Sequence, residues 1–161
     1  MRPLTILVAE DEMLARMVLE RSVVQWGHQL VSAANGDAAR EALQTRKIDV
    51  CILDWNMPGM TGLEVCRWLR TSLSAPLPYV ILITCKEQPE EIQAGYEAGA
   101  DDYLVKPCDL KYLRRRIATV QEKLSRQASW LEQANGKKKG LASLSPLDLY
   151  LSDLRLMRRK L

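Results

Sequence analysis

Ile48-Asp49-Val50-Cys51-Ile52-Leu53-Asp54-Trp55-Asn56-Met57-Pro58-Gly59 is the stretch on which the fold turns. Apart from Asp49, residues 48–53 form an apolar run without the alternation of a half-exposed strand, which fits a strand covered on both faces. The run ends on Asp54, and Asn56-Met57-Pro58-Gly59 makes a turn. Further strands are predicted over residues 4–9, 29–34, 79–83 and 102–105. Helical patterns fall between them. Met13, Leu14, Met17, Val18 and Leu19 recur at helical spacing before a stop at Trp26-Gly27. A stripe of Ala38, Ala39, Ala42 and Leu43 marks residues 37–46, and Thr61 caps a helix that turns Leu63, Val65, Cys66 and Leu69 inward. Residues 90–98 form a helix stopped by Gly99, and from Asp109 a helical pattern runs to about residue 134.

Alternating strands and helices, with strands apolar on both sides, predict an α/β fold: a parallel sheet with helices on each face. Right-handed crossovers then bring every strand's carboxyl end to one edge, where open α/β sheets place their ligands. Glu10 and Asp11 follow the first strand, Asp54 the third, Thr84 the fourth and Lys106 the fifth. Three carboxylates in one cleft repel each other unless a cation sits among them, and hard oxygen donors suit Mg²⁺. A lysine and a hydroxyl beside that ion are suited to phosphoryl oxygens.

The composition sets the outer limits. In 161 residues the apolar fraction is 47% and the charged fraction 27%, as in a soluble globular chain. No apolar stretch approaches the roughly 20 residues of a membrane span, and no signal peptide opens the chain, so a cytoplasmic location is expected. Cys51, Cys66, Cys85 and Cys108 contain no C-x-x-C pair, and His28 is the single histidine. Structural zinc, a disulfide framework and a Ser/His or Cys/His nucleophile are all disfavoured. Charge is divided: residues 1–109 hold 10 Lys+Arg and 16 Asp+Glu (−6), residues 110–161 hold 13 and 4 (+9).

Four segments carry a resemblance: Leu7-Val8-Ala9-Glu10-Asp11-Glu12, Ile52 through Gly62 with its D-x-x-M-P-x-x-x-G pattern, Ile83-Thr84, and Gly99 through Pro107. Over about residues 4 to 124 the chain resembles the receiver domain of two-component response regulators. The resemblance implies a flavodoxin-like, doubly wound five-stranded parallel sheet of order 2-1-3-4-5. It implies that Asp54 is the phosphoacceptor, taking a phosphoryl group from a histidine kinase or phosphotransfer protein. Mg²⁺ would be held by Asp11, Asp54 and the main-chain carbonyl of Asn56, with Glu10 an outer contact through water. Lys106 would pair with Asp54 and then with the phosphoryl group, the Thr84 hydroxyl would swing to a phosphoryl oxygen, and Tyr103 would turn inward behind it. Main-chain N–H groups around Trp55 and Cys85 would assist. The switch would then alter contacts with a downstream protein.

Some positions depart from the family's pattern. Glu10-Asp11 stands where two aspartates are usual, and Cys85 follows Thr84 where a small residue is usual. Lys86, two residues beyond Thr84, is placed to influence phosphoryl lifetime. Phosphatases of the haloacid-dehalogenase type would want a second carboxylate two residues after the nucleophile; Asn56 stands there, so a classical enzyme is not expected.

The basic remainder reads differently. Leu110, Leu113, Ile117, Val120, Leu124 and Leu131 follow 3-4 spacing, interrupted at Gln127. A receiver over residues 1–124 is thus expected to continue into a basic helical extension, residues 125–161. That extension comprises the prolonged last helix, a linker near 135–140 and a terminal helix over 145–161 that starts at Ser145-Pro146. Homodimerisation through these helices is expected, with self-packing or partner docking as alternatives. A membrane contact and DNA recognition by a dedicated domain are disfavoured. Two further readings stay open: the front of a longer regulator with an output domain, and a scaffold that is never phosphorylated.

Overall fold

The computed structural model describes the backbone of residues 1–142 and the side chains of residues 1–132. Five strands alternate with five helices: β1 (Thr5–Ala9), α1 (Met13–Gln25), β2 (Gln29–Ala33), α2 (Gly36–Thr45), β3 (Val50–Asp54), α3 (Gly62–Ser72), β4 (Tyr79–Thr84), α4 (Pro89–Glu97), β5 (Asp102–Val105) and α5 (Leu110–Ala142). All pairings are parallel, in the order β2-β1-β3-β4-β5. This is the predicted flavodoxin-like sheet.

Alternation along the strands builds two cores. Leu7, Ala9, Cys51, Leu53, Val80 and Leu82 pack with Ala39 and Leu43 of α2 and with Val65, Cys66 and Leu69 of α3. Ile6, Val8, Ile52, Ile81 and Ile83 turn the other way and are buried, as are Leu19 and Val23 of α1 and Leu113 and Ile117 of α5. Burying each large side chain contributes roughly 1.5–3 kcal/mol. The helix starts are fixed by side chains that satisfy otherwise orphaned N–H groups. Glu12 accepts from Leu14 N and Ala15 N, Asn35 accepts from Ala38 N, and Thr61 and Glu64 form a reciprocal capping box.

The register positions the carboxyl edge. Ala9 is aligned with Leu53, so the next residues, Glu10 and Asp54, are neighbours. Asp54 is aligned with Ile83 and Thr84 with Val105, which brings Thr84 and Lys106 to the same edge. Gly62, at the start of α3, lets the chain fold back over this edge. Its N–H donates to Trp55 O at 2.9 Å, and a Cβ on it would collide with the Asp54 carbonyl.

Two elements differ from what the sequence pattern suggests. Of the apolar stripe on α1 only Leu19 is buried; Met13, Leu14, Met17 and Val18 are exposed, and the helix buries Leu19, Ser22 and Val23 instead. The linker expected near 135–140 is helical backbone, since α5 continues to Ala142. Two glycines cost a helix about 1 kcal/mol each, and the lysines between them favour it. The chain divides into two units, Met1–Gln121 and Glu122–Leu161. The terminal helix expected over 145–161 lies outside the described residues.

Because the collision at Gly62 is with backbone, Gly62→Ala should destabilise the protein by about 2–4 kcal/mol in urea unfolding. A loss below about 0.5 kcal/mol would mean that the loop after Asp54 is not packed as described.

Candidate functional site

The acid cluster lies where the strands end. One carboxylate oxygen each from Glu10, Asp11 and Asp54 can be chosen so that all lie within 4.8 Å of one another. Glu10 and Asp54 are 1% and 5% exposed, whereas Asp11 faces solvent. Lys106 Nζ bridges the buried pair, 2.8 Å from Glu10 Oε2 and 3.2 Å from Asp54 Oδ2. Residues separated by 96 positions thus share one ion-pair cluster. Glu10 is further tied by Glu12 N, which donates to its Oε1 at 3.2 Å, and its carbonyl accepts from Arg16 Nη1 at 2.8 Å.

Burial, and then the Glu10 charge, push the Asp54 carboxyl up to about 6, with Lys106 opposing the rise. Burial alone would lower the Lys106 ammonium, but the Glu10 hydrogen bond and the Asp54 charge outweigh it and hold it above its usual range. Three carboxylates against one lysine leave the pocket negative. Hard carboxylate oxygens crowded together in this way fit a small divalent cation.

Thr84 is fully buried, and its hydroxyl accepts from Lys86 N at 3.2 Å. Asn56 is exposed on the loop after β3. Tyr103 belongs to a neighbouring cluster: its hydroxyl donates to Lys86 O at 2.8 Å, and its ring meets Trp55 edge-on at 6.3 Å between centroids. Lys86 Nζ sits 5.3 Å from the centroid of the Trp55 ring and 2.8 Å from Glu91 Oε1. The Trp55 N–H donates to Ile83 O at 3.0 Å, continuing the sheet. Cys85 is exposed.

Two features had no counterpart in the sequence reading. Glu12 does not join the acid cluster but caps α1, and its two main-chain hydrogen bonds hold its carboxyl below the usual range. Beside the cluster runs a groove of about 330 Å³ lined by Glu10, Leu14, Val18, Lys106, Pro107 and Leu110, among others. Leu14 and Val18 of α1 thus share a groove with Glu10 and Lys106 of the cluster.

Known proteins agree with this architecture. The response regulator receiver domain family matches residues 6–118. The chain belongs to that family. The transcriptional regulatory protein AfsQ1 of Streptomyces coelicolor is 34% identical over 125 residues, covering 78% of this chain and 54% of that protein. The phosphate regulon transcriptional regulatory protein PhoB of Pseudomonas aeruginosa is 35% identical, covering 72% and 51%. This receiver chain thus spans about half the length of these curated relatives. The Francisella response regulator 1452 receiver domain superposes with a TM-score of 0.71 at 26% identity, covering 75% of this chain and 98% of that one. Both sequence relatives are named as transcriptional regulators, so the expectation against DNA gains no support from them. Among the described residues no helix is long and apolar enough to cross a membrane.

The raised Asp54 carboxyl gives a stability prediction. The folded receiver retains this proton to a higher pH than an unfolded chain does. Ionisation of Asp54 therefore costs stability as pH rises from about 4 through about 6. Without divalent cations, Asp54→Asn should stabilise the protein by an order of 1–3 kcal/mol at about pH 8, with the gain vanishing near pH 4. Urea unfolding across pH reads this; a pH-independent difference would contradict it.

Proposed function

We propose that Asp54 accepts a phosphoryl group from a phosphohistidine on a histidine kinase or phosphotransfer protein. The reading rests on one observation: the Lys106 ammonium bridges buried Glu10 and Asp54, with Asp11 alongside. An Asp54 carboxylate oxygen attacks phosphorus, the P–N bond to the donor imidazole breaks, and its electron pair stays on the imidazole. Such transfers depend mainly on positioning and charge neutralisation. Asp11, Asp54, the Asn56 main-chain carbonyl and, through water, Glu10 would hold Mg²⁺, which when bound neutralises charge on the pocket and on the phosphoryl oxygens. Lys106 moves from the Asp54 carboxylate to a phosphoryl oxygen, and the Thr84 hydroxyl donates to another once it gives up the Lys86 N–H. Tyr103, anchored on the Lys86 carbonyl, carries that rearrangement into the face formed by α4, β5 and α5. A downstream protein reads that face.

The protein donor docks on α1. Leu14 and Val18 line the groove that also contains Glu10 and Lys106, so a helix laid there brings its imidazole to the cluster. Free thiols at all four cysteines suit a reducing, cytoplasmic setting. A second reading, the receiver part of a longer regulator, is favoured by the half-length match and leaves the Asp54 chemistry unchanged.

Incubation with Mg²⁺ and a small phosphodonor should add one phosphate-sized mass to the intact protein, lost in Asp54→Asn. No gain would remove the reading in favour of an unphosphorylated scaffold, and a gain that survives this substitution would remove Asp54 as the acceptor. Leu14→Asp with Val18→Asp should slow transfer from a cognate phosphohistidine protein by about tenfold or more and leave the small-donor reaction unaltered. Equal losses with both donors would place the docking surface elsewhere.

A further inference from the structure

We propose that residues 122–142 of α5 pair with a second copy of this chain as a parallel, in-register two-stranded coiled coil. The inference goes beyond the phosphoryl-acceptor reading and does not depend on it. Its first support is the repeat. Leu110, Ile117, Leu124 and Leu131 occupy one heptad position (a), and Leu113, Val120 and Gln127 occupy d. Leu113, Ile117 and Val120 are buried within the first unit. The same seven-residue period then continues past Gln121, where Leu131 is 66% and Trp130 77% exposed. Beyond Gln121 the a positions hold Leu124, Leu131 and Lys138 and the d positions Gln127, Ala134 and Leu141. A straight helix drifts by about 20° per heptad, so leucines kept seven residues apart there serve a supercoiled partner better than a flat surface.

Length is the second support. Helical backbone from Glu122 to Ala142 gives 21 residues. That is about 31 Å, or three heptads, near the shortest span that sustains such pairing. The flanking positions are compatible. In a parallel pair each g residue faces the e residue of the following heptad, which sets Lys123 opposite Ala128 of the second copy, so no like charges meet there. Trp130, also at g, lies along the seam and covers it.

Gln127 fixes the orientation. In a parallel, in-register pair d meets d, and the two Gln127 amides donate to and accept from each other. An antiparallel pair would set Gln127 against an apolar a residue and leave its amide unpaired. Gln127 therefore selects the alignment, and it and the Lys138 pair at a, the second polar layer of the core, both weaken the dimer.

Light scattering of the full chain at micromolar concentration should give twice the monomer mass. Leu124→Glu with Leu131→Glu should raise the dimer dissociation constant by about a hundredfold, and Gln127→Leu should lower it. Cross-linking tests the geometry without relying on those variants. With Cys85 and Cys108 replaced by serine, Gln127→Cys should form an intermolecular disulfide under mild oxidation, and Ser129→Cys, on the opposite side of the helix, should not. A monomer at all concentrations, a dimer indifferent to the glutamates, or equal cross-linking at both positions would overturn the proposal.

Discussion

Two buried carboxylates, Glu10 and Asp54, share one ammonium group at the carboxyl edge of the sheet. Two like charges about 4 Å apart repel by roughly 4 kcal/mol at the effective dielectric of such sites. One lysine cannot cancel that repulsion together with the charge of Asp11. The rest of the edge is arranged around this excess. Parallel topology brings residues from β1, β3 and β5 to a common point, and Gly62 lets the chain pass against Asp54. Lys106 is held at the one place where it reaches both acids. A pocket left short of positive charge is primed for a cation.

Much of this was legible because strand ends are marked in the chain itself. The run into Asp54 and the shorter runs into Glu10, Thr84 and Lys106 name the edge residues, and the parallel order follows from strands apolar on both faces. The register that makes Glu10 and Asp54 neighbours needs no information beyond their position one residue after Ala9 and Leu53. Helix faces were harder. On α1 the apolar residues outnumber the positions the sheet can cover, and spacing alone does not say which of two overlapping stripes faces inward. Leu19, Ser22 and Val23 won that competition. Asn135-Gly136 resembles a turn in isolation, yet continues a helix already formed, because extending a helix costs far less than starting one. The commitment of the Trp55 N–H to Ile83 is a pairing between strands distant in sequence, invisible to any local pattern.

The division of charge acquires a meaning. The acidic first unit carries the edge cluster, and its repelling carboxylates suit phosphoryl chemistry through a cation. The basic remainder carries no comparable cluster among its described residues and offers instead a heptad pattern interrupted at Gln127 and Lys138. The proposed chemistry and the proposed association thus draw on separate parts of the chain, one on where strands end, the other on the period of a helix. The exposed side of α1 adds a third surface, joined to the first by the groove that contains Lys106.

The most direct test of the central claim is calorimetric titration with Mg²⁺ in buffers of different ionisation heat, which counts the protons released on binding. If Glu10 and burial hold a proton on Asp54 to about pH 6, binding at that pH releases about half a proton per ion, and release fades towards pH 8 and is absent in Asp54→Asn. Binding without proton release at pH 6, or no binding at all, would contradict the account.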